Sequence, residues 1–287
     1  MAGGPARLRV MSFNVRGFTS PVDGRHRWPR RAALNVATVR DQAPDLLGVQ
    51  ELQTEALATY RAQLPDHGLV LGPAAGTARR PEYDAIFFVP DRLEVVEAGG
   101  SWLSETPDVP SSSWGSRNVR AVNWATFAVR GTDVTLRHVN THLDHWSGRA
   151  RARSTDVIVR GVGDGSLPTI LTGDFNCPPG PGPHATFLAH GYEDTCRGRD
   201  RDEATFHGFG GVRSSAVRLF HRVRYGRRPL RLDWILVADE RRRWRVEDSA
   251  TVRDRDPLTG APPSDHDPVI ADLCLVPDDP GSEGSRR

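Results

Sequence analysis

The sequence predicts an α/β (α+β) fold, a four-layer sandwich in which two mixed β-sheets pack face to face with helices outside. Three observations lead there. Apolar runs of strand length recur along the chain, while stretches with helical spacing are few and interspersed, so the strands must bury one face against a second sheet and the other under helices. Several runs stop at Asn, Asp, Glu or His, which would gather polar side chains along one sheet edge. No internal repeat and no linker divides the 287 residues, a length that one large domain fills. One domain over 7–276 is expected, between a flexible start at 1–6 and a flexible tail of Pro, Gly, Ser and charge at 277–287.

The first strand is Leu-Arg-Val-Met-Ser-Phe-Asn at 8–14, with a turn at Gly17, and helical spacing follows over 30–42. The unbroken apolar run at 46–49 ends at Gln50-Glu51, as a buried strand does. Thr54 is placed to cap the next helix, which reaches to Leu64. Residues 85–89 and 93–96 read as one hairpin pair. Residues 123–129 and 134–141 read as another, with Arg-Gly-Thr-Asp at 130–133 as its turn. A helix over 149–162 precedes strands at 169–172, 231–237 and 269–275. The stretch 195–229 breaks this rhythm, being weak in periodicity and rich in Arg, Gly and His; it is either a functional loop or a solvated excursion.

Composition narrows the classes. With 38% hydrophobic and 26% charged residues the chain has the balance of a soluble globular protein. A formal net charge of +2 falls short of a dedicated nucleic-acid binder. Positive charge is carried by Arg, which suits phosphate oxygens but also follows from genome composition. Cys177, Cys196 and Cys274 are odd in number and form no CxxC pair, so neither a disulfide framework nor a zinc site follows. The start has no apolar stretch of signal-peptide length and nothing later approaches a membrane span. A cytoplasmic monomer with no membrane partner is expected.

The polar strand ends carry the chemistry. Asn14, Glu51, His142, Asp174, Asn176, Asp233, Asp265 and His266 each sit at or just beyond such an end. Singly, Asn and Asp there are turn formers; together along one sheet edge they suit hydrolysis of a phosphate ester assisted by a hard cation. Mg²⁺ takes oxygen ligands and few protein carboxylates, a role open to Glu51 and Asp265. Asp174 or His266 is placed to act as base, and Asn14, Asn176 and His142 to donate to oxygens. Asp233 toward His266 would fix the imidazole tautomer.

Six blocks in order resemble the endonuclease/exonuclease/phosphatase superfamily: Met-Ser-Phe-Asn-Val-Arg at 11–16, Gly-Val-Gln-Glu at 48–51, Asn-Thr-His-Leu-Asp-His at 140–145, Gly-Asp-Phe-Asn at 173–176, Arg-Leu-Asp-Trp-Ile at 231–235 and Ser-Asp-His-Asp-Pro-Val at 264–269. The resemblance implies that Glu51 is the principal metal ligand, with Asn14 beside it and Asp265 completing the set. It implies that Asp174 orients or deprotonates the attacking water and that Asn176 binds a phosphoryl oxygen. His266, oriented by Asp233, would contact the phosphate and share the base role, and His142 would stabilise the phosphate or protonate the leaving oxygen. Mg²⁺ is the implied cofactor, with Mn²⁺ as a substitute; one metal or two is left open.

A finer similarity, to a bacterial subgroup of the superfamily, rests on Trp-Leu-Ser-Glu-Thr-Pro-Asp at 102–108, on Trp114, Arg120 and Trp124, on Glu82-Tyr83, and on Thr-Phe-His-Gly at 205–208. It marks Arg120, Tyr83, Trp124, His145 and His207 as candidates for substrate binding. Substrate choice does not carry over with the fold. A phosphodiesterase or phosphatase acting on a small or medium substrate is favoured over a nuclease, which would need a long basic face. A non-catalytic binding protein on the same fold is the alternative from another class, and a Ser hydrolase lacks its Gly-x-Ser-x-Gly elbow.

Overall fold

Two six-stranded mixed sheets form the centre of the computed structural model, which describes residues 4–17, 21–77, 80–162, 166–196, 203–209 and 219–276. The first half opens with β1 (Ala6–Asn14), a 3-10 helix (Pro21–His26), α1 (Trp28–Gln42), β2 (Leu46–Gln53) and α2 (Thr54–Gln63). It continues with β3 (Gly68–Thr77), β4 (Arg80–Phe88), β5 (Leu93–Trp102), β6 (Ala121–Val129) and β7 (Thr135–His142). The second half holds α3 (Gly148–Gly161), β8 (Thr169–Asp174), α4 (Pro183–Ala189), β9 (Tyr192–Asp194), β10 (Asp233–Ala238), β11 (Trp244–Thr251) and β12 (Val269–Leu275). One sheet runs β11-β12-β1-β2-β4-β3 and the other β5-β6-β7-β8-β10-β9.

Three apolar clusters make the layers. Val10, Leu46, Ile86, Phe127, Leu136, Ile170 and Ile235 fill the space between the sheets. Met11, Leu47 and Val49 turn outward to Trp28, Val36 and Tyr60 of α1 and α2. Val139, Leu171 and Leu236 do the same toward Ile158 of α3 and Phe187 of α4. Strands apolar on both faces are the mark of a sheet covered on both sides, and the expected four-layer sandwich is what forms. Among the described residues no helix is long and apolar enough to cross a membrane.

Several boundaries differ from expectation. Ala6, placed in the flexible start, already pairs with Leu275. The tail at 277–287 lies outside the described residues, as do Arg213 and Arg218. Residues 85–89 and 93–96 do not form a hairpin: β4 lies between β2 and β3, while β5 pairs with β6 in the other sheet. The intervening loop crosses between sheets, with Val89 N–H donating to Asp45 O at 3.1 Å. The true partner of β4 is β3, whose Gly-Leu-Val-Leu-Gly-Pro-Ala-Ala-Gly-Thr sequence hides its period under Gly and Pro. The hairpin of β6 and β7 forms as expected. Thr54 is the first residue of α2 rather than its cap, and Gln53 precedes it without a side-chain bond. Helix α3 does have its cap: Ser147 accepts from Ala150 N–H at 3.1 Å. Within the 195–229 stretch, Phe206 bridges to His266 and residues 219–225 form a short helix.

The sheets meet most closely where a polar seam replaces the apolar filling. Gln50 Nε2 donates to Asn140 Oδ1 at 2.7 Å, and Thr172 Oγ1 donates to the same atom at 3.0 Å. Asn140 Nδ2 donates to Val49 O at 2.9 Å and to Ala85 O at 3.1 Å. Gly48 permits this approach, because a Cβ there would lie 2.1 Å from Thr172 Oγ1 and 2.7 Å from Asn140 Oδ1. Gly48→Ala is expected to lower stability by about 3 kcal/mol, an overpacking cost with a broken buried network added. A urea midpoint equal to the parent's would refute that close contact.

Candidate active site

All the polar strand ends open on one edge of the sandwich. Parallel β1 and β2 deliver Asn14 opposite Gln50, next to Glu51, and parallel β7 and β8 deliver His142 opposite Asp174. Antiparallel β10 begins at Asp233, directly opposite Asp174. The segment before β12 supplies Asp265 and His266 from the far side of β1, where Ser264 Oγ donates to Asn14 O at 2.7 Å. Glu51 falls in a bulge of the β2–β4 ladder, and its φ of 56° turns the side chain out of the ladder. Asn176 (φ 51°) and Arg16 (φ 48°) also hold left-handed backbone, a cost that clusters at functional sites.

Asp174 is the meeting point. Its Oδ2 accepts from Asn14 Nδ2 at 2.9 Å and lies 3.4 Å from His142 Nε2 and 3.7 Å from His266 Nε2. Its Oδ1 accepts from Asn176 N–H at 2.9 Å. Burial raises its carboxyl to about 7, with His266 pulling it down and Asp233 pushing it up. His266 donates from Nδ1 to Asp233 Oδ2 at 2.8 Å, and Thr205 Oγ1 donates to the same oxygen at 2.5 Å. Burial disfavours the imidazolium, but Asp233 and Asp174 outweigh it and raise His266 well above its ordinary value.

His142 is set the other way. Arg120 approaches its Nδ1 at 2.9 Å, and a guanidinium only donates, so Nδ1 is the acceptor and the proton sits on Nε2. Burial, then Arg120 and His266, hold the ring well below its ordinary value, hence neutral. Asn176 Nδ2 lies 2.9 Å from that Nε2 and donates to Leu143 O at 3.0 Å. That Nε2 proton faces Asp174 Oδ2, and Asn176 Nδ2 stands beside it as a second donor. Arg120 is buried and ion-paired to Glu82 Oε1 at 2.7 Å, so it orients His142 from behind instead of standing in the cleft.

Glu51 Oε1 accepts from Asn14 Nδ2 at 3.1 Å. Its Oε2 lies 3.5 Å from Arg16, which also stands 3.8 Å from Asp265 Oδ2 and 3.4 Å from Asp23 Oδ1. Burial pushes the Asp265 carboxyl upward, but Arg16, His266 and Arg31 more than offset that, leaving it below the usual range. Carboxylate oxygens converging on one positive centre fit a hard cation. Separately, Asp174, Asp233 and His266 offer ligand atoms within 4.8 Å of one another.

Tyr83, Trp124 and His207 do not converge on this point. Tyr83 packs against the apolar cluster beneath α1 and α2, on the face of β4 opposite Glu82. Trp124 packs in the cluster beneath α3, with Arg137 over its ring at 5.1 Å. His207 Nδ1 accepts from Phe209 N–H at 3.3 Å and its Nε2 faces Asp267 at 3.6 Å, so it braces the 265–267 segment. His145 is exposed beyond the end of β7, at the rim of the site, where the charges of Arg120 and Glu51 reach it. Conversely, Arg16, Asp23, Glu82 and Thr205 belong to the site without having been singled out. Arg16, Glu82 and Thr205 each lie within a motif already noted, and Asp23 does not.

A two-sheet sandwich with its carboxylates, imidazoles and amides on one edge defines a class of acid–base site. The chain belongs to the Endonuclease/Exonuclease/phosphatase family, whose model matches residues 11–266. A family protein of Bacteroides thetaiotaomicron is similar in structure, with a TM-score of 0.78 and 26% identity over 94% of this chain and 98% of that one. The mannosyl-6-phosphatase Bt3783 of the same organism has a TM-score of 0.73 and 26% identity over 93% of this chain and 99% of its own. An uncharacterised protein of Acanthamoeba polyphaga mimivirus is 26% identical over 145 residues, 48% of this chain and 54% of that relative. The chain thus spans about half the length of the curated relative it matches.

Proposed function

We propose that the protein is a divalent-cation-dependent hydrolase of phosphate esters, Mg²⁺ being the expected ion and Mn²⁺ its substitute. The observation that carries this reading is the convergence of Asn14, His142 and His266 on Asp174 Oδ2, within 2.9–3.7 Å, beside the Glu51–Asp265 pair. Glu51 and Asp265 would hold the ion, with Asn14 beside them. The Asp174–Asp233–His266 group suits a relay better than a metal, because Asp233 and Asp174 favour the protonated imidazole of His266, which is no ligand. When bound, the ion supplies Lewis-acid neutralisation of phosphoryl charge.

The chain's own groups supply the rest. Asp174 receives the proton of the attacking water, while His266, held as the imidazolium and oriented by Asp233, faces Asp174 and the phosphate. Asn176 donates to a phosphoryl oxygen with neutral His142 beside it, and that bond strengthens as negative charge gathers there. Kinship with a mannosyl-6-phosphatase makes sugar phosphomonoesters the first class to test, and nuclease activity the competitor.

The test is hydrolysis of bis-p-nitrophenyl phosphate, p-nitrophenyl phosphate and hexose 6-phosphates with Mg²⁺, with Mn²⁺ and with EDTA. Glu51→Gln is expected to lose about 10³-fold in turnover and to need more metal. Activity that survives both EDTA and this substitution would remove the cation from the reaction.

A further inference from the structure

We propose that Arg16 is the internal counter-cation of the Glu51–Asp265 pair, competing with the divalent ion for it and withdrawing to Asp23 when the ion enters. The inference rests on the metal reading above and concerns what stands between the two carboxylates before loading. Arg16 reaches Glu51 at 3.5 Å, Asp265 at 3.8 Å and Asp23 at 3.4 Å. These contacts are looser than the paired 2.7 Å bonds by which Arg9 grips Asp272. Burial works against the Arg16 charge, and Asp265, Glu51 and Asp23 together overcome it. The guanidinium thus faces three carboxylates at once, two of them the pair the ion would take.

Its backbone, by contrast, is fixed. Arg16 N–H donates to Asn14 Oδ1 at 3.0 Å, and Arg16 O accepts from the buried Arg31. Arg31 also donates to Val15 O at 2.7 Å and to Pro263 O at 2.8 Å, tying the Arg16 and Asp265 segments together. Any displacement must therefore occur in the side chain, and the 3-10 helix (Pro21–His26) carries the receiving carboxylate, Asp23.

Two positive centres between one pair of carboxylates repel strongly at this depth. The ion's affinity is its intrinsic value reduced by the free energy of moving Arg16 aside. An anion arriving with the ion relieves the repulsion between the displaced guanidinium and the metal, so metal and phosphate should bind cooperatively, by the same factor in either order. Arg16 would thus keep the site closed to bare cations and open it to a cation with phosphate.

Calorimetric titration of Mn²⁺ tests this, with and without inorganic phosphate, on the parent, Arg16→Met and Asp23→Asn. Arg16→Met is expected to bind Mn²⁺ about tenfold more tightly and to lose most of the gain from phosphate. Asp23→Asn, which removes the place of retreat, is expected to bind Mn²⁺ more weakly. Equal or weaker binding by Arg16→Met, with the parent binding normally, overturns the proposal and leaves the cation site standing. Binding by neither protein overturns both. Binding by Arg16→Met alone supports the proposal in its strongest form.

Discussion

Replacing Asp174 by Asn is expected to cost about 10³-fold or more in turnover with little change in substrate KM. Asn14, His142 and His266 all address Asp174 Oδ2, and an amide neither accepts a proton nor holds three donors. The pH dependence gives a second reading. The carboxyl is raised to about 7 in the folded protein by burial, against about 4 in an unfolded chain. The folded state therefore binds this proton more tightly, and its contribution to stability is lost as pH rises from about 4 to about 7. Asn has no such proton to lose. The stability difference between variant and parent should therefore shift toward the variant between about pH 4 and about pH 8, whatever its offset. Urea denaturation at both pH values measures the shift. A difference independent of pH would mean that Asp174 is not held against its charge.

The legible part of this site was the part written in strand ends. Asn14, Glu51, His142 and Asp174 lie at or near the ends of their strands, so their placement needed only that parallel neighbours end on the same side, and Asp233 joins them by starting the antiparallel β10. The illegible part depended on parity and on pairing between distant segments. Whether Glu82 or Tyr83 faces Arg120 is a one-residue choice, set by bulges where β4 meets both β2 and β3. Asn123 and Trp124 pose the same choice: Asn123 Nδ2 reaches Val70 O at 2.9 Å across the sandwich, leaving Trp124 outside. Arg120 reads as a substrate contact in the sequence because its partners, Glu82 and His142, lie 38 and 22 residues away. The mistaken hairpin has a similar cause, since adjacency in the chain suggested pairing while the loop at 89–92 was changing sheets. The setting of half-buried Arg16 among carboxylates is a property of three segments at once and leaves no local trace.

Asp233→Asn should separate the two ways of reading the Asp174–Asp233–His266 group. In the relay, Asp233 Oδ2 accepts the Nδ1 proton of His266 at 2.8 Å. Together with Asp174 it raises the ring well above its ordinary value despite burial. Raised in this way, the imidazolium stabilises the fold below the unfolded His value, a gain that disappears as pH rises through the folded one. An Asn amide removes the negative charge, so His266 should titrate at lower pH and the alkaline limb of the rate profile should move down with it. Turnover should fall about 10²-fold or more, because the ring also loses its fixed tautomer. Thr205 Oγ1 retains its bonds from Leu232 N–H at 2.9 Å and Asp233 N–H at 3.2 Å, so the segment stays in place and the loss is chemical. If the three residues instead ligate the ion, the same substitution would weaken Mn²⁺ binding in calorimetry and leave the alkaline limb where it was. A shifted limb with unchanged Mn²⁺ affinity assigns Asp233 to the proton, and the reverse assigns it to the metal.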